Sequence, residues 1–220
     1  MKLYLSSMFL GDHVMRLNAM AGPNARMAII TNALDHIPAI DRILYAQTQF
    51  DAVHYFNDNG FDASLIDLRY YFGRPAALRE LLVRYRVVWA LGGNAFLLRR
   101  AMNESGFDSF IAELLDNDGL IYSGWSAGAC VAGSSLRGVD LMDKPDAEAD
   151  GYTAGKIIWE GLHLVPFTIV PHYRSDHVES ASAERAVKFL ETHRLPFKAI
   201  CDGDVIVKDN GNISVLQRRQ

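Results

Sequence analysis

The chain has 220 residues, half of them apolar and 22% charged, which suits one substantial core and leaves no room for a disordered majority. Its 22 basic and 26 acidic residues give a net charge of −4 with no long basic cluster, which argues against nucleic acid as a partner. Cys130 and Cys201 lie far apart in apolar surroundings and read as buried free thiols, and no apolar run reaches the ~18–20 residues of a membrane span.

In chain order, MKLYLSSMFLGDHVMR offers no convincing export signal, because its apolar run is short and broken by Ser6 and Ser7, so a cytoplasmic setting is expected. KLYLS and RMAIITNA read as strands, and Asp41 to Asn57 as one helix with Ile43, Leu44 and Phe50 on one side. FDASLIDLR is a further strand, Ala76 to Tyr85 a helix, RVVWALGG a strand and NAFLLRRAMN a helix. The next strand, GLIYSG, is too short and too apolar for an exposed edge and should lie centrally, with a small helix after Ser126. From Gly133 to Gly155 the periodicity dissolves into a long loop, a length that in compact domains tends to serve function. FTIVPHY resumes as a strand, Glu179 to His193 as a helix, and KAICDGDVIVKDNGNISVLQ as strands turning at Asn210-Gly211. The alternation predicts an α/β fold over a single domain, 1–220, with a mostly parallel central sheet flanked on both faces by helices.

One segment raises a chemical question. Gly124-Trp125-Ser126-Ala127-Gly128 matches GxSxG, in which glycines flanking a serine permit the sharp strand-to-helix bend that lifts its hydroxyl clear of the backbone. The motif alone is weak; the preceding strand and the small residues that follow strengthen it. A serine hydroxyl needs a base to accept its proton. Of seven histidines, His13, His36, His54 and His193 sit in surface-like patterns, and His163 and His177 are as readily structural. His172 differs: it ends a β-run, where ligands gather in open parallel sheets. Gly92 and Gly93 end another apolar strand just before a helix, so that their amides, with that of Ala127, could face an oxyanion. Taken singly, each of these features is more simply a turn or a satisfied strand end.

Together, LGGNAFLL, GWSAGA and VPHY, in that order, resemble the peptidase E family of aspartyl dipeptidase-like serine peptidases, which includes cyanophycinases. The likeness is strongest over about residues 85 to 175. It implies a three-layer α/β sandwich similar to class I glutamine amidotransferases, with Ser126 as nucleophile, His172 as general base and Gly92, Gly93 and Ala127 as the oxyanion hole. The family carries its acid in the loop after the nucleophile, near a Met-Asp pair. That favours Asp143, with Asp140 second, over Asp146, Glu148 and Asp150, which read as solvated loop carboxylates. The family's preference for N-terminal aspartate would call for a basic side chain, Arg137 or Arg174, with Asn94 of the glycine-rich turn also placed at the substrate. No metal or cofactor is implied. The expected partner is a small peptide substrate, with no nucleic acid or membrane, and a homodimer is the one assembly kept in view. Two alternatives stay open: an α/β-hydrolase esterase, whose histidine would normally lie nearer the C-terminus, and an amidotransferase-like binding module without catalysis.

Overall fold

The computed structural model describes residues 1–117 and 119–219. Its strands are β1 (Lys2–Ser6), β2 (Ala25–Ile30), β3 (Phe61–Ile66), β4 (Val87–Ala90), β5 (Ile121–Trp125), β6 (Thr168–Val170), β7 (Phe197–Ala199), β8 (Val205–Asp209) and β9 (Asn212–Leu216). Seven of them form one sheet in the order β3-β2-β4-β5-β1-β8-β9. The pairs from β3 across to β1 are parallel, and β8 and β9 close the far side antiparallel. A separate parallel pair joins β6 to β7. The strand that leads to Ser126, β5, therefore lies centrally between β4 and β1, as its apolar sequence requires.

The central strands β2, from Met27 onward, and β4 are apolar because each buries both faces. In β2, Ala28 and Ile30 enter one core while Met27 and Ile29 enter the other; in β4, Val88 and Ala90 part from Val87 and Trp89 in the same way. The first core is completed by α4 (Pro75–Leu82), α5 (Ala95–Glu104), α6 (Phe107–Asn117) and α7 (Ala127–Cys130), the second by α1 (Val14–Ala21) and α3 (Ala52–Asp58). Three layers result, as expected. A third, smaller core joins α8 (Ser180–Thr192) to Val170 through Ala183, Ala186, Val187 and Leu190. That core anchors the β6–β7 pair.

The single helix expected from Asp41 to Asn57 is two. The first, α2 (Ala39–Thr48), ends before Phe50, and Asp51 starts α3 by accepting the N–H of His54 at 3.1 Å. Ile43 and Leu44, the apolar stripe of the sequence reading, face solvent instead of the core. Neither α1 nor α6 was anticipated. Residues 133–155 hold no helix or strand beyond a 3-10 turn at Val139–Leu141, and the loop is held down by buried Arg100, which donates to Ala147 O at 3.0 Å and pairs with Glu148 at 3.3 Å. The terminal hairpin turns at Asn210 and Gly211, both with positive φ, as the sequence requires. Cys130 is buried and Cys201 half-buried, and both are free. No helix among the described residues is long and apolar enough to cross a membrane.

Candidate active site

The carboxyl ends of five strands meet at one rim. Pairing of β1 with β5 sets Ser6 beside Trp125, which brings the next residues, Ser7 and Ser126, together: the Ser126 N–H donates to Ser7 O at 3.0 Å. Pairing of β6 with β7 sets Val170 beside Ala199, so the residues that follow, His172 and Asp202, leave the small sheet side by side. The fifth end, that of β4, supplies Gly92 and Gly93.

Ser126 has φ +47° and ψ −115°, an unfavourable conformation for a residue with a Cβ and the one a strand-to-helix elbow demands. The flanking glycines have a steric reason. A Cβ on Gly128 would run into Ala90 O, and one on Gly124 would lie 2.8 Å from the same oxygen. A Cβ on Gly92 would lie 3.1 Å from Ser126 Cβ, so the glycine pair passes directly against the elbow serine. The N–H groups of Gly93 and Ala127 meet no acceptor among the described residues, which leaves two donors near the Ser126 side chain.

The His172 ring is buried and its Nδ1 lies 2.8 Å from Asp202 Oδ1. Burial works to raise the Asp202 carboxyl, but hydrogen bonds from His172 and Ser7 outweigh it and hold the group below its ordinary value. Asp202 is then ionised at neutral pH and can only accept, so Nδ1 carries a proton, and it is Nε2 that bears the lone pair in the neutral ring. That Nε2 lies 3.7 Å from Glu179 Oε2, and the Ser126 hydroxyl makes no hydrogen bond among the described residues. The ring of His177 stacks on that of His172 at 3.8 Å and 11°. His177 is fixed as a tautomer, since its Nδ1 accepts the Glu179 N–H at 3.2 Å, and burial together with the neighbouring His172 pulls it below its usual value.

The carboxylate bonded to His172 is Asp202, and neither loop aspartate singled out by the sequence makes that bond. Asp143 accepts the Ala95 N–H at 2.8 Å, at the start of α5, and does not bond His172. Asp140 accepts the Gly138 N–H within its own turn, also at 2.8 Å. Desolvation is the main reason the Asp143 carboxyl is pushed up to about 7, with Glu179 adding to the shift and the Ala95 N–H opposing it. The two arginines singled out by the sequence make other contacts. Arg174 is exposed, pairs with Glu184 and stacks on Tyr173, while Arg137 lies over the Trp159 ring. Asn94 is placed at the cleft, but both ends of its amide are engaged: Oδ1 caps Leu97 N–H and Nδ2 donates to Lys144 O, each at 2.9 Å.

A cleft of about 470 Å³ opens beside the site, lined by Gly93, Asn94, Asp143, Lys144, Glu179 and His36 among others. Ligating atoms of His172, His177 and Glu179 lie within 4.8 Å of one another. The two rings, however, lie in nearly parallel planes 3.8 Å apart, so the in-plane lone pairs of both could meet one ion only after a ring turned.

An α/β sheet that carries a serine on a strand-to-helix elbow, near a histidine paired to a carboxylate, is the arrangement of serine hydrolases. The comparisons narrow it. Residues 46–216 match the model of Peptidase family S51, and the chain belongs to that family. It is 35% identical over 148 residues to "Probable alpha-aspartyl dipeptidase" of Drosophila melanogaster, covering 65% of this chain and 56% of that protein. It is 34% identical over 116 residues to "Peptidase E" of Haemophilus influenzae, covering 51% of this chain and 49% of that one. The chain thus spans about half the length of the curated relatives it matches. A crystal structure assigned as a peptidase E protein from Listeria monocytogenes EGD-e superposes with a TM-score of 0.76 at 18% identity, over 99% of this chain and 98% of that one. A likeness at that identity speaks for the fold.

Asp202, Ser7, His177 and Glu179 gather around His172 although the sequence singled none of them out. Asp202 had a signal: it follows the β-run ending at Ala199, the same strand-end position that singled out His172.

Proposed function

We propose that the protein is a serine peptidase that cleaves short peptides through an acyl-enzyme on Ser126. The observation that carries the reading is the His172–Asp202 pair at 2.8 Å, held at the same rim as an elbow serine with φ +47°. His172 Nε2 takes the Ser126 proton as the hydroxyl attacks the scissile carbonyl, and later returns it to the leaving amine. Asp202, in place of the expected Asp143, keeps the imidazole in the useful tautomer and stabilises the imidazolium. The developing oxyanion is received by the Gly93 and Ala127 amides. Attack requires the Ser126 hydroxyl to turn toward Nε2, a tightening common when substrate binds.

The substrate proposed is a dipeptide or similarly short peptide, in keeping with the names of the relatives and the size of the cleft. For an N-terminal aspartate, Lys144, which lines the cleft and otherwise sits 3.9 Å from Asp146, is the cation proposed to meet the side-chain carboxylate, since neither Arg137 nor Arg174 is among the residues lining it. The test is a hydrolysis screen of Asp-X, isoaspartyl and neutral dipeptides with wild type and Ser126→Ala. Dipeptide cleavage lost in the variant supports the reading; cleavage of short acyl esters alone would move the assignment to an esterase.

A further inference from the structure

Ser7 lies outside every motif above, yet it touches all three members of the proposed catalytic set. It follows β1 and is wholly buried. Its carbonyl accepts the Ser126 N–H at 3.0 Å. Its hydroxyl accepts the His172 N–H at 2.7 Å and donates to Asp202 Oδ1 at 2.6 Å, the oxygen that also meets His172 Nδ1. The directions are forced. The His172 amide can only donate and ionised Asp202 can only accept, so the single hydroxyl proton goes to Asp202 and a lone pair to His172. The Ser7 N–H is used as well, by Asp204 O at 3.4 Å.

We infer that Ser7 is a positioning residue that registers nucleophile, base and acid against one another across the seam between the large sheet and the β6–β7 pair. The inference deepens the peptidase reading and rests on it. Two of the groups it holds need holding. His172 has φ +59°, a conformation unfavourable for a residue with a side chain, and its amide is buried with Ser7 Oγ as acceptor. Asp202 must keep one oxygen on Nδ1, and the Ser7 donor fixes that oxygen in place. Alanine at this position would preserve both backbone bonds while stranding the His172 N–H and removing a donor from Asp202. The loss should therefore fall on catalytic alignment more than on substrate affinity.

The experiment is the second-order rate of fluorophosphonate labelling of the full chain, followed from about pH 5 to pH 9 in wild type, Ser7→Ala and Ser7→Cys, with circular dichroism as the folding check. The inference predicts a plateau rate lowered ~10–100-fold in Ser7→Ala and a midpoint, where the rate falls on acidification, displaced to higher pH. Ser7→Cys keeps the size and a weak donor; it should fall between, and it decides by the same criteria if the alanine variant does not fold. A folded variant that labels within about threefold of wild type, or that slows equally at every pH with an unmoved midpoint, overturns the inference and leaves the peptidase reading standing. A wild-type protein that takes no label removes both.

Discussion

Nδ1 of His172 lies 2.8 Å from Oδ1 of Asp202, although α8 and β7 separate the two residues in the chain. Parallel pairing of β6 with β7 produces the meeting. If this carboxylate orients the base, Asp202→Asn should lower kcat/KM by ~10³–10⁴, because an amide favours the wrong imidazole tautomer. Asp140→Asn, confined to a local turn, should stay near wild type. Steady-state kinetics on a cleaved dipeptide would check the contrast.

Asp143 makes a prediction about stability. Its carboxyl is raised in the folded state from 3.8 to about 7, so folding takes up a proton between those values and this group's contribution to stability is fully present only below the unfolded value. As pH rises through the window toward 7, roughly 2–4 kcal/mol should be lost, and the loss is complete above it. Asparagine can keep the Ala95 N–H bond without the charge. Asp143→Asn should therefore gain stability relative to wild type at pH 8 and gain little at pH 4, as read by urea denaturation at both pH values.

Gly93 has φ +133°, and a Cβ there would lie 2.6 Å from Ala33 O. A backbone carbonyl cannot move aside as a side chain can. Gly93→Ala should cost at least ~2 kcal/mol through backbone strain and this clash. Because the same turn carries one of the proposed oxyanion donors, kcat should fall along with Tm. Thermal denaturation paired with kinetics measures both.

His177 presents a flat face to His172 at 3.8 Å. If its contribution is to fix the ring by packing, His177→Phe should retain most activity while His177→Ala loses about tenfold. Equal losses would show that the imidazole's polar atoms matter instead. The readout is kcat for the two variants at one pH.

The sequence made the sheet, the elbow and the strand-end histidine legible because each is a local pattern: an apolar strand, two glycines around a serine, a histidine after a β-run. The glycines proved to be dictated by the approach of Ala90 O, a cause the motif implies without naming. What the sequence concealed was long-range. Asp202 sits 30 residues beyond His172 in a segment that reads as strand and turn, and only the register of β6 against β7 makes them neighbours. Ser7 was hidden in the same way, since its partners lie just beyond the ends of β5, β6 and β7. The exposed Ile43 and Leu44 show the opposite failure: a helical apolar stripe was present, but α2 lays it toward solvent and not over the sheet.

The most direct test of the central claim, that Ser126 is an activated nucleophile, is covalent capture with a fluorophosphonate, mapped by peptide mass spectrometry. The account predicts one adduct per chain, carried by the peptide that contains Ser126, absent from folded Ser126→Ala and strongly slowed in His172→Ala. Folded wild-type protein that stays unmodified, or an adduct that persists when Ser126 is replaced, would contradict it.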